Sequence, residues 1–219
     1  MIYRIMTKHF LIIIAFCSAF FSCGHATDHK TEKGIIIDTS IRSEVEERIS
    51  PSEFGSITTD ILIYDNRIIT ELYEDDSLKV SVKDQDHKTL TFKSFYYWQN
   101  DTLSIDGVYG LFGGSGFSIK IYQDKATLYH LLSSDEFPTL AYKEKDSLTY
   151  RLQVPCTDTK IVLSAIPDST KKQTVYGYVE FKSEDYYTMR GYADGQEILP
   201  RKKQHTEMRI YFKSAFLDL

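Results

Sequence analysis

The chain has 219 residues and a net charge of −5, enough for one sizeable domain or two small ones. With 42% hydrophobic and 26% charged residues it is ordinary globular material, which excludes wholesale disorder. The mildly acidic balance gives no field to attract nucleic acid. Aromatic content is the departure: 16 Tyr and 13 Phe favour half-buried pleated surfaces, and so β structure.

Residues 1–22 begin with the cations Arg4 and Lys8 and continue as the apolar run FLIIIAFCSAFFS. That run is well short of the ~20 apolar residues that span a bilayer, and no second one follows. A charged start, a short apolar centre and small residues before a break form the pattern of a secretory signal. Ser22-Cys23-Gly24 ends it. The stretch resembles a bacterial lipoprotein signal, in the loose Ser-Cys form found among Bacteroidota, with Phe20 where the strict form has Leu. The resemblance implies cleavage before Cys23, lipidation of Cys23 and a place in the cell envelope. The residue after the cysteine is Gly24 and not Asp, which by the same resemblance favours the outer membrane with the domain facing the periplasm. Cys17 then leaves with the signal, and Cys156 stays alone in the mature chain without a disulfide partner.

Residues 23–34 read as a polar tether. His25 and His29 fall there at helical spacing, but a tether does not hold a ligand pair, so no metal site and no cofactor is expected. SIRSEVEERISP, residues 40–51, is the one helical candidate: Ile41, Val45 and Ile49 share a face, Pro51 ends it, and Glu44, Glu46 and Glu47 are solvated.

From about residue 60 the period becomes two. LKVSVKD and TLTFKSF, separated by DQDHK, read as a hairpin. FSIKIYQ places Phe117, Ile119 and Ile121 on one face. LTYRLQV places Leu148, Tyr150, Leu152 and Val154 inward, with Thr149, Arg151 and Gln153 outward. Val179, Phe181, Ile210 and Phe212 join the expected core. Short strands with polar turns predict one β-rich domain over 35–219, an antiparallel β-sandwich with a lipocalin-like β-barrel as the alternative.

Candidate sites are few. YGLFGGSGFS lacks the Lys-Ser/Thr of a phosphate loop; Gly113, Gly114 and Gly116 are expected to supply positive φ in a hairpin loop. GGSGF lacks the frame of a nucleophile elbow, and no motif ties His130 or His205 to Ser115. In SFYYWQND, Tyr96 and Trp98 share one face and Phe95 and Tyr97 the other. Trp98, Tyr96 and Asn100 are therefore the candidate ligand-binding residues, a ring to stack on a sugar beside an amide for its hydroxyls. The tripeptides Asp76-Ser77-Leu78, Asp101-Thr102-Leu103 and Asp146-Ser147-Leu148 resemble the O-glycosylation sequon of exported Bacteroidota proteins, which implies modification at Ser77, Thr102 and Ser147. No catalytic residue is expected. The function expected is that of a non-catalytic, lipid-anchored binding or assembly module whose partners are the membrane and an envelope protein or glycan. A periplasmic glycan-binding protein or a carboxylate-dependent hydrolase is the alternative.

Overall fold

The computed structural model describes residues 30–32, 34–56, 61–82, 90–110, 114–123, 125–193 and 196–218. The signal, Cys23, most of the tether, Gly113 and the DQDHK turn lie outside these. The chain is mainly β, with one short helix. The ribbon β1 (Lys30–Glu32) and β2 (Ile35–Ile37) precedes α1 (Ile41–Arg48). Then come β3 (Ile49–Ser56), β4 (Leu62–Asn66), β5 (Ile69–Glu74), β6 (Ser77–Val82), β7 (Leu90–Gln99) and β8 (Thr102–Tyr109). They are followed by β9 (Ser115–Tyr122), β10 (Lys125–Ser133), β11 (Leu140–Ala141), β12 (Arg151–Leu163) and β13 (Val175–Ser183). The chain finishes with β14 (Tyr186–Thr188), β15 (Tyr192–Ala193), β16 (Gln196–Glu197) and β17 (Lys202–Phe216).

Seven strands form a closed ring in the order β7, β8, β9, β10, β12, β13, β17. Six of the contacts are antiparallel; the seventh returns β17 to β7 in parallel, with Ala215 opposite Phe95 and Phe216 opposite Tyr96. An odd ring must contain one such parallel pair. Two long strands turn the corners. β12 pairs with β10 through its first half and β13 through its second. The β12–β13 register slips between Thr157 and Lys160, where Asp158 adopts φ +48°, and a bulge of this kind bends a strand. The ring can therefore be read as two sheets joined at both edges, which reconciles the sandwich and barrel readings.

Its interior is apolar and aromatic. Phe92, Ile105, Phe117, Ile119, Val179, Ile210 and Phe212 are inaccessible, and Phe117 bridges the walls with its ring 4.9 Å from that of Phe212. Gly177 makes room for that ring, since a Cβ there would lie 2.3 Å from Phe212 Cζ. Ile121, Val154 and Phe181 are buried as expected. Leu148 and Leu152 are half-buried. Tyr150 corrects the expectation: it is 50% exposed, because β12 starts one residue later and Tyr150 stands in the bend before it.

Two further expectations change. The helix stops at Arg48, before Pro51, because Ile49 already pairs with Asn66 of β4 and Pro51 disfavours helix at the residue preceding it. Its buried Ile41 and Val45 pack on Val162 and Tyr176 outside the ring. β6 does not pair with β7; it folds back on β5 through Asp75 and Asp76, both at positive φ. Alternation identifies a strand's faces but not its partner. β6 is an edge strand, and Leu78 and Val80 on it are about half exposed.

Candidate functional site

The largest cavity described, about 850 Å³, is a groove on the outside of the ring across β7 to β12. Strand register explains it. One row across the sheet reads Phe95, Asp106, Ser118, Tyr129, Pro155. The next reads Lys93, Val108, Gly116, Leu131, Gln153. In the first row large rings on β7 and β10 flank short side chains on β8 and β9; in the second, Gly116 leaves the middle of the row empty. Successive outward residues stand side by side on a pleated sheet, and Phe95, Asp106, Lys93, Val108, Leu131 and Gln153 of these rows line the groove. Ser118 is only 2% exposed although it faces outward.

Gly116 lies within β9, opposite Val108, and not in a turn. A Cβ there would lie 2.0 Å from the Gly107 carbonyl oxygen, so only glycine lets β9 approach β8 this closely. Among the described residues of the β8–β9 connection, the left-handed positions are Gly110 (φ +95°) and Gly114 (φ +124°).

Asp106 is the chemically notable member. Its Oδ2 accepts a long bond, 3.5 Å, from Tyr97 Oη. Its Oδ1 is buried and has no hydrogen-bond partner within the chain. Burial pushes the carboxyl above its ordinary pKa, against the pull of Ser118, Lys120 and Tyr97. Lys93, Arg151 and Asp135 also line the groove. Lys120 stands beside it, donating to Gln153 Oε1 at 3.3 Å and lying over the Tyr129 ring.

A second constellation lies inside the ring. Ser115 Oγ and His130 Nε2 are 2.6 Å apart, brought together by the β9–β10 hairpin. The pair resembles a nucleophile and its base, but the arrangement does not support that role. His130 is inaccessible and its Nδ1 has no partner, so no third group orients the ring. Burial lowers the His130 pKa to about 3, and Phe181 and Tyr186 cover the imidazole. Cys156 is a thiol pushed up to about 12 by burial, which is the opposite of an activated nucleophile.

The residues selected from sequence separate. Tyr96 is fully buried, and its hydroxyl donates to the Gln173 carbonyl at 2.8 Å; a ring sealed inside the ring of strands cannot stack on an incoming sugar. Trp98 shares that inward face, packs against the core and has its Nε1 buried without a partner. Asn100 is exposed and, with Asp101, forms a two-residue turn at positive φ (+47° and +59°). The outward aromatic pair is Phe95 and Tyr97, with rings 6.2 Å apart and 25° from parallel. Ser77 and Ser147 are exposed and Thr102 is partly so. Asp76 and Asp101 occupy turn positions just before Ser77 and Thr102, and Asp146 Oδ2 accepts from the Lys143 amide at 3.0 Å.

No three His, Cys, Asp or Glu side chains converge for a metal among the described residues, and no described helix is long and apolar enough to cross a membrane. Comparison with family models, curated proteins and solved structures returns no match, so the site is read from its own geometry.

Proposed function

We propose that this chain is a non-catalytic binding module of the cell envelope, held at the outer membrane through lipidated Cys23 and recognising its ligand in the outer groove. The observation that carries the binding role is the groove itself: the rings of Phe95 and Tyr150 beside Val108 and Leu131, and one buried carboxylate oxygen without a donor. Small-molecule sites combine apolar walls with a few fixed polar groups in this way. The signal-like N-terminus supports the address, and the surface positions of Ser77, Thr102 and Ser147 are compatible with glycosylation there.

Asp106 gives the hydrolase reading its one supporting observation, since a carboxyl with a raised pKa suits a general acid. A glycosidase needs a second carboxyl within about 5–10 Å. Asp106 stands in the row of Tyr129, and Ser133, where β10 ends, is already about 13 Å further along that strand. Asp135, the other carboxylate of the lining, follows the end of that strand, and among the described residues no hydrogen bond or shared residue ties it to Asp106 in the way paired catalytic carboxyls are arranged.

The test is made in cells carrying the full chain. A photo-crosslinking residue at position 131 in the groove should form an adduct in the envelope, and one at position 122 outside it should not. Cys23→Ser should move the protein from the membrane to the soluble fraction, since the acyl chains provide the anchor. Unchanged membrane retention rejects the anchor. Equal labelling at both positions rejects the groove.

A further inference from the structure

The geometry points to an uncharged saccharide as the groove's ligand, with a sugar ring against Phe95 and a sugar hydroxyl donating to Asp106 Oδ1. This inference rests on the groove being a binding surface.

The unpartnered oxygen sets the first requirement. A buried carboxylate oxygen without a donor is costly, so the ligand must bring an O–H or N–H to it. Charge sets the second. Lys93 and Arg151 line the groove together with Asp106 and Asp135, and Lys120 at the side is engaged with Gln153 and Tyr129. No single sign dominates. A uronate brought to Asp106 would meet a like charge, and a free amine would share the groove with the cations Lys93 and Arg151. A ligand with many hydroxyls and no charge avoids both conflicts.

The walls set the third requirement. Phe95 and the half-exposed Tyr150 supply the rings of the lining, and Val108 and Leu131 add apolar floor. Sugar rings present C–H faces that pack on such rings while their edges carry hydroxyls. An extended peptide is a poorer match. β8 and β9 are paired on both sides, so the floor offers no free backbone edge for strand addition. The volume, about 850 Å³, is within the usual range for small-ligand sites.

The experiment uses the mature chain on an array of neutral, N-acetylated, uronate and free-amine oligosaccharides, followed by calorimetry on the best binder. Neutral or N-acetylated glycans should bind. Phe95→Ala and Asp106→Ala, shown by circular dichroism to be folded, should each weaken binding by about tenfold or more. Asp106→Asn, which keeps an acceptor but loses the charge assistance, should fall between them and the native chain. Tyr122→Ala, an exposed ring on β9 outside the groove, should change nothing. Preference for uronates or amines, binding unaffected by the groove variants, or no bound saccharide overturns the inference. Groove-dependent capture of a peptide from a random-sequence library would overturn it too, yet leave the binding-module reading standing. Absence of any groove-specific crosslink in cells removes both.

Discussion

Phe95 and Tyr96 are adjacent aromatic residues on one strand, and they live in different environments. Tyr96 is sealed inside the ring, edge-on to Phe216 at 5.6 Å between centroids. Phe95 stands outside, on the wall of a groove. The same contrast runs through β7, β8 and β9. Inward positions are large and apolar, such as Phe92, Leu103, Ile105, Phe117 and Ile119. Outward positions alternate bulky side chains with Ser, Asp and Gly. One face is explained by the hydrophobic effect alone. The other breaks the rule that an exposed sheet face is evenly solvated, and such local departures are expected where a protein recognises something.

The sharpest way to break this comparison is to empty one ring from each face. Phe117→Ala should cost about 3–5 kcal/mol, the usual penalty for deleting a large core side chain and leaving its cavity. Phe95→Ala should cost below about 1 kcal/mol, because its outer side already faces open space. Urea unfolding of both variants measures the difference. Comparable losses would mean that Phe95 is a packing residue and that the groove wall is part of the core.

A second test concerns polarity inside the ring. His130 is held neutral by burial, with its pKa lowered to about 3 from an ordinary 6.5. The unfolded chain takes up a proton below about pH 6.5 and the folded one does not, so this group's contribution is intact above pH 6.5 and lost as pH falls towards 3. From pH 7.5 to pH 5 the loss should be about 2 kcal/mol. His130→Gln removes it, so the native chain should show that extra acid sensitivity over the variant. Parallel pH profiles for the two proteins would place the imidazole in contact with water.

How much of this was legible in sequence follows from the same contrast. Strict alternation in FSIKIYQ and TVYGYVEFK located the inward residues because burial acts on every second position. It could not reveal that LKVSVKD pairs with β5, nor that two strands bend to serve both walls, because pairing is a non-local property. The groove was harder still, since no short stretch contains it: Phe95, Asp106, Leu131 and Gln153 meet only through register. Part of that register was recoverable. The two-residue turn at Asn100 and Asp101 fixes β7 against β8, which places Phe95 opposite Asp106. The longer β8–β9 connection hides the rest. Trp98 lies partly buried on the face it shares with Tyr96, and its place was hard to read because an aromatic run on a strand has two faces and rarity of a residue type does not say which one is outside. Ser115 and His130 were missed as a pair because the bond is diagonal across a hairpin, where no linear motif exists.

The smallest expected effect is also the one that best separates a binding surface from a merely irregular one. Asp106 is partly buried, with its Oδ1 shut off from solvent, and burial raises its carboxyl pKa in the folded chain. A carboxyl whose folded pKa lies above its unfolded value favours the fold when protonated. That contribution is present below about pH 3.8 and is lost as pH rises through the raised value, so at neutral pH the ionised group works against the fold. Asp106→Asn removes the charge and keeps an acceptor for Tyr97. The variant should therefore be more stable than the native chain at pH 7, by less than about 1 kcal/mol, and the advantage should vanish near pH 3. A structural carboxylate would behave in the opposite sense, its replacement costing stability at neutral pH. If Asp106→Asn gains stability while weakening saccharide binding, the residue sits where folding alone would not put a charge, and recognition is what the outer face of these strands is built for. If the variant is less stable at pH 7, Asp106 is holding the sheet together and the two faces differ less than their geometry indicates.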